Sequence, residues 1–226
     1  MKVLIVAATR MEIEPLWNYL DVHFQQKEVG HFFSVSNQVK VLITGVGQAQ
    51  TAYALGVAGA KEEHDLWLNV GIAGAYHHGL ELGEVVSVQS QTFGDLGVEE
   101  ADGRFLDAHE INLIPKDDFP FSEGKLVHPS FQSFSAYQAV HGLTVNRVTG
   151  TTQSIQAIRA KYPQADIETM EGAAFFYAAL LQRVAFMELR SISNYVEPRN
   201  KNNWVMGLAI RHLNEQLIQL FQPLLN

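Results

Sequence analysis

The sequence predicts a single-domain α/β protein with a mostly parallel or mixed central sheet. Three observations predict it. Short apolar, β-branched runs recur, among them KVLIVAA (2–8), DLWLNVG (65–71) and VAFMELRSISN (184–194), and strands this apolar belong to a sheet covered on both faces. Helical segments alternate with those runs, as in layered α/β folds. No linker, repeat or low-complexity tract divides the 226 residues, so residues 1–226 are read as one domain.

In chain order, KVLIVAA is a buried strand and MEIEPLWNYL (11–20) a helix. HFFSVS (31–36) and VKVLITG (39–45) form a hairpin about Asn37-Gln38. AQTAYALGVAGAKE (49–62) is a small-residue helix, DLWLNVG returns as a buried strand, and VVSVQSQTF (85–93) follows as a long one. TVNRVTG (144–150) is expected as a further strand, before a helix around SIQAIRAKY (154–162). EGAAFFYAALLQRV (171–184) is apolar nearly all round, the pattern of a helix buried on most sides. VAFMELRSISN is the last strand, and the amphipathic NWVMGLAIRHLNEQLIQLF (203–221) is the last helix. Residues 101–142, rich in Pro, Asp and Ser, are expected as an irregular, loop-rich excursion.

Composition excludes several classes. With 16 basic against 24 acidic side chains the net charge is −8, the opposite of a nucleic-acid footprint. The chain has no cysteine, so disulfides and thiolate metal sites are out and nothing calls for an oxidising compartment. The apolar run in MKVLIVAAT is too short for a signal peptide, and no stretch approaches the roughly 18 apolar residues of a membrane helix. The expectation is a cytoplasmic protein with no nucleic-acid or membrane partner. The nine histidines show no HExxH and no metal spacing, so no metal is expected.

Four segments carry candidate chemistry. GVGQAQ (45–50) is a near miss to the dinucleotide fingerprint, with Gln50 at the third glycine position. Tight strand-to-helix packing is the competing reason for its glycines. GIAGA (71–75) is either a plain tight turn or a place where backbone meets a ligand, since open α/β sheets bind at strand carboxyl ends. Glu12 and Glu14 follow the first strand; either suits a helix N-terminus electrostatically, but Glu12 reaches the same sheet edge as GIAGA. In ETMEGAA (168–174), Glu171 stands at the mouth of the apolar helix, where a carboxylate is a helix-terminal acid or an acceptor for two hydroxyls of a ribose diol.

Taken in order, VLIVAATRMEIEPL, TGVGQAQTAYAL, LNVGIAGAYHHGLELGEVV, TGTTQSI, ETMEGAA and RSISNYV resemble the nucleoside phosphorylase and nucleosidase superfamily from end to end. Within it, FGDLGVE (93–99) and SNYVEPRNKNNW (193–204) look most like a branch of hydrolases that release hypoxanthine from a nucleoside with a benzoate-bearing tail at C5′. The resemblance implies a central twisted, partly barrel-like sheet flanked by helices, a small-molecule nucleoside substrate, water as co-substrate, no cofactor, and a homodimer or higher homo-oligomer. It implies that Glu12 activates water, that Glu171, after Met170, holds the ribose hydroxyls, and that Asn194 meets the N7 edge of the purine. Ile72, Ala73, Gly74, Gln153 and Ser193 complete the expected substrate contacts. Arg199 is a candidate partner for the tail carboxylate, Phe93 or Tyr195 for stacking, and Asp95 has no assigned role.

Related adenine-releasing nucleosidases carry Asp where this chain has Asn194. Adenine is a poor leaving anion and presents a donor at C6, so an acid suits it. Hypoxanthine presents an oxygen at C6, which a carboxylate repels and an amide can meet with a donor. A 6-oxopurine nucleoside is therefore expected over an adenine nucleoside. Phosphorylases bring arginines to phosphate; LNVGIAG has none before its glycine and only Arg10 stands N-terminal, so hydrolysis is expected over phosphorolysis. An adenine nucleosidase with an unusual Asn, a phosphorylase, and a silent nucleoside-binding protein are the competing readings.

Overall fold

The structure, a computed structural model, describes residues 1–131 and 136–225. Its first half runs β1 (Lys2–Ala7), α1 (Glu14–His23), β2 (Gln25–Glu28), β3 (His31–Phe33), β4 (Gln38–Ile43), α2 (Gln48–Lys61), β5 (Leu66–Ala75) and β6 (Val85–Phe93). The second half runs β7 (Gly97–Glu99), β8 (Phe105–Asp107), β9 (Phe121–Ser122), β10 (Lys125–Val127), β11 (Gln138–Thr144), α3 (Thr152–Lys161), β12 (Ile167–Thr169), α4 (Gly172–Gln182), β13 (Phe186–Tyr195) and α5 (Met206–Phe221).

One mixed sheet organises the chain. It begins β2-β3-β4-β1-β5, then curls, because β5 pairs with β12, β12 with β11, β11 with β6, and β13 with both β6 and β5. Those five strands close a ring, so the expected barrel-like part is present. β5 makes the junction: its first half pairs with β1, its last residues with β12, and β13 runs parallel along its length.

Strand alternation sorts the core into two layers. Val3, Ile5 and Ala7 of β1 pack with Met187 and Leu189 against Leu16 and Leu20 of α1 and Leu213 and Leu217 of α5. Leu4 and Val6 turn the other way, toward Leu55 of α2 and Phe175 and Phe176 of α4. Helix α4 is buried on most sides, as its apolar sequence predicts.

Three local expectations are corrected. TVNRVTG is not a strand: the strand is β11, which ends at Thr144, and 145–150 form a loop held by Asp95, whose carboxylate accepts from the Asn146 backbone N–H at 2.6 Å. GIAGA is not a turn but the end of β5, with its glycines clearing room for side chains from neighbouring strands. The 101–142 excursion contains ordered pairing, with β8 on β7 and β9-β10 joined to β6.

Candidate active site

The chain leaves β1 into a short 3-10 turn, Arg10–Ile13, that places Glu12 over the end of β5. Helix α5 fixes this turn from behind: buried Asn214 donates to the Glu12 carbonyl at 2.8 Å and accepts from the Leu16 N–H at 2.9 Å. The Glu12 carboxylate is buried and held at both oxygens. Oε2 accepts from the Thr9 N–H (3.0 Å) and hydroxyl (2.9 Å), and Oε1 accepts from the Ile72 N–H (3.2 Å).

Glu171 stands where β12 gives way to α4. Among the described residues its carboxylate accepts one hydrogen bond, from the Gly47 N–H, at 2.9 Å to Oε1. Gly47 has φ +94, a backbone region that side-chain-bearing residues rarely adopt, so GVGQAQ serves this site with its backbone. The third-glycine position does something else: the Gln50 amide fills the space where a side chain on Gly45 would sit. Burial pushes the Glu171 carboxyl above its usual range, opposed by Arg190 and the Gly47 N–H.

Arg190, on β13, was not anticipated. It is fully buried, donates through Nε to Glu188 Oε1 at 2.7 Å, and places Nη1 4.0 Å from Glu171 Oε2. A Cβ on Gly71 would lie 2.4 Å from Arg190 Nη1 and 2.7 Å from Glu12 Oε1, so Gly71 lets the cation and the acid converge. The signal was present in FMELRSIS: Glu188 and Arg190 are two apart on a strand, hence on one face, inside an otherwise apolar run.

Three and four residues later β13 supplies Ser193 and Asn194. Ser193 Oγ lies 2.8 Å from Asn194 Oδ1 and 3.1 Å from the Ala73 carbonyl, and Asn194 Nδ2 donates to the Tyr195 carbonyl at 3.0 Å. These contacts orient the amide. One N–H and one oxygen lone pair remain for a ligand, the count that a donor-acceptor edge requires. Gly74 makes space here, since a Cβ on it would stand 3.1 Å from Asn194 Nδ2.

These groups line one cavity of about 340 Å³, within the size range of small-molecule sites. Glu12, Ile72, Ala73, Gly74, Met170, Glu171, Ser193, Asn194 and Arg199 all line it. Gln153 does not: it is exposed on the first turn of α3, whose cap is Thr151. In the same TGTTQSI segment Thr149 reaches the cavity instead, donating its N–H to Glu168 Oε1 at 3.0 Å and its hydroxyl to Oε2. Tyr195 lines the cavity, with its hydroxyl on the Leu80 carbonyl at 3.1 Å. Phe93 packs against Phe121 and Tyr177 away from it. Arg10 is stacked 3.7 Å above the Trp17 ring and Arg199 lies at the rim, 5.1 Å from the Trp204 ring centroid. Among the described residues no three His, Asp or Glu side chains gather as a metal site, and no helix is long and apolar enough to cross a membrane.

A cavity at strand ends, lined by buried carboxylates and an oriented amide, has the form of a small-molecule site. The chain belongs to the phosphorylase superfamily, whose family model matches residues 2–222. Its relatives there include the futalosine hydrolase of Streptomyces coelicolor, 32% identical over 80% of this chain and 77% of that protein. The futalosine hydrolase of Acidothermus cellulolyticus is 30% identical over 97% of this chain and 90% of that protein. Among solved structures, the 5′-methylthioadenosine/S-adenosylhomocysteine nucleosidase of Neisseria meningitidis, in complex with methylthio-immucillin-A, superposes with a TM-score of 0.77. It is 15% identical and covers 98% of this chain and 99% of that one, a likeness of fold. The chain is an enzyme of the N-glycosidic hydrolase class.

Proposed function

We propose that the chain hydrolyses the N-glycosidic bond of futalosine, releasing hypoxanthine and dehypoxanthine futalosine, a step of alternative menaquinone synthesis. The observation that carries this reading is Asn194, an oriented amide with a free N–H and a free oxygen lone pair at the purine end of the cavity. Similarity to two futalosine hydrolases supports it.

Cleavage builds positive charge on the ribose and negative charge on the departing base. A water beneath C1′ bonds to carbon as the C1′–N9 bond breaks; its proton passes to Glu12, and the bond pair leaves with the base. Three donors hold Glu12 facing the cavity, so the base is in place before substrate arrives. The Glu12 anion also favours the cationic ribosyl centre. Glu171 keeps oxygen lone pairs for the 2′ and 3′ hydroxyls. The departing base takes a proton at N7 from solvent water, and Asn194 donates toward O6 and accepts from that N7–H. An adenine amino group facing the amide N–H would leave donors opposed, a mismatch of about 1–3 kcal/mol. Arg199, at the rim, is the cation for the tail carboxylate.

Hydrolysis is favoured over phosphorolysis because Arg10 is turned onto Trp17 and Arg190 is committed to Glu188. The test is the release of hypoxanthine from futalosine by purified protein in phosphate-free buffer, followed by chromatography. The expected rate is the same with and without added phosphate; a strict phosphate requirement would overturn the assignment.

A further inference from the structure

Inside the five-strand ring, behind the site, lies a further buried carboxylate that the chemistry above does not use. Glu188 is fully buried, and Gln91 of β6 donates to both its oxygens, at 3.2 and 3.1 Å. Gln91 is itself fixed by the Thr144 hydroxyl, which donates to its Oε1 at 3.0 Å. The seam is built to fit: a Cβ on Gly172 would come 2.0 Å from Gln91 Nε2 and 2.8 Å from Glu188 Oε1.

Arg190 therefore has three carboxylates to choose from: Glu12, Glu171 and Glu188. A buried guanidinium ordinarily closes on the nearest carboxylate with short, paired hydrogen bonds. Here it makes one short bond, to Glu188, while Nη1 stops 4.0 Å short of Glu171 and Nη2 has no partner among the described residues. A cation fully closed on Glu12 would occupy the lone pairs that must receive the water proton. One closed on Glu171 would occupy those that take the ribose hydroxyls.

We infer that Glu188, held by Gln91, is a positioning residue that keeps the Arg190 guanidinium from closing on Glu12 and Glu171, leaving both carboxylates free for water and ribose. This rests on the nucleosidase reading above. The groups facing Arg190 are Glu188 on its own strand, Glu12 from the turn after β1, and Glu171 at the head of α4.

The experiment compares purified wild-type protein with Glu188→Gln, reading melting temperature, kcat, KM and the pH profile of hypoxanthine release. The amide preserves shape but no longer outcompetes two carboxylates for the cation. The expected kcat falls about 100-fold, as for a misplaced catalytic group. The acid limb of kcat/KM moves to lower pH, because a carboxylate with a cation beside it gives up its proton more readily. A folded variant with kcat within about twofold of wild type, or one whose lower activity tracks its melting temperature with the acid limb unmoved, overturns the inference. Should Glu188→Gln fail to fold, Gln91→Met carries the test, since it frees the Glu188 carboxylate without changing any charge. A lower kcat with nearly unchanged KM supports the inference, and wild-type kcat in that folded variant overturns it. A wild-type chain that releases no base from any purine nucleoside defeats the nucleosidase reading, and the inference with it.

Discussion

Glu168, in the middle of β12, and Glu171, at the head of α4, are three residues apart, line the same cavity, and are each only 6% exposed. Their surroundings differ. Glu168 accepts from the Tyr76 hydroxyl at 2.8 Å and from both the N–H and the hydroxyl of Thr149. Glu171 has one backbone N–H and a cation held at 4.0 Å. The saturated acid is wall: it ties the 145–150 loop to the sheet and has little left for a ligand. The under-partnered acid has lone pairs facing the cavity, and its burial without full compensation is a cost to the fold that a hydroxyl-bearing ligand, the ribose of the proposed substrate, can offset. Within one wall, hydrogen-bond saturation separates the two carboxylates, and the proposed function gives the binding role to the less saturated one.

The largest test lies beside this pair. Glu12→Gln removes the proton acceptor while keeping the shape, so turnover is expected to fall by about 10²–10⁴-fold. Hypoxanthine binding, read by calorimetry, is expected to change little; near-normal turnover would remove Glu12 from its role. Next come the two wall acids under the same substitution. Glu171→Gln is expected to lower kcat/KM about 10–100-fold, the worth of hydrogen bonds to a charged group, and yet to raise the melting temperature at neutral pH. The sign follows from its raised pKa. An ionised Glu171 destabilises the folded state above its folded pKa, so the variant's advantage shrinks as pH falls toward the ordinary carboxylate range. Glu168→Gln is expected to do the reverse, lowering the melting temperature by about 2–10 °C because Thr149 loses an acceptor, with a smaller effect on rate. Equal behaviour of the two variants would end the distinction.

Much of this was legible in the residues. The continuous apolar strands and the apolar helix after Glu171 were set by periodicity, and the structure places them within a few residues of their expected bounds. Glu12, Glu171 and Asn194 converge because three strand ends converge, which an ordered set of motifs can convey. The ring closure was harder to read from periodicity. Its strands β11 and β12 carry His141, Gly142, Thr144 and Thr169, polar or small residues whose partners are on other strands, so β11 was displaced into TVNRVTG and β12 passed unseen. The same physics hid the pairing of Glu188 with Gln91. A buried polar seam is stable only through long-range pairing, and local sequence does not display its partners. Gln153 failed for the opposite reason: TGTTQSI contains both a helix cap and a cavity-lining threonine, and spacing alone does not say which residue turns inward.

The central claim is that the Asn194 amide makes this a site for 6-oxopurine nucleosides. Its most direct test is the ratio of kcat/KM for futalosine to that for methylthioadenosine, measured with the same protein in one phosphate-free buffer. A ratio of about 100 or more in favour of futalosine is expected, the scale on which an unpaired buried donor discriminates between substrates. A methylthioadenosine rate equal to or above that of futalosine would contradict it.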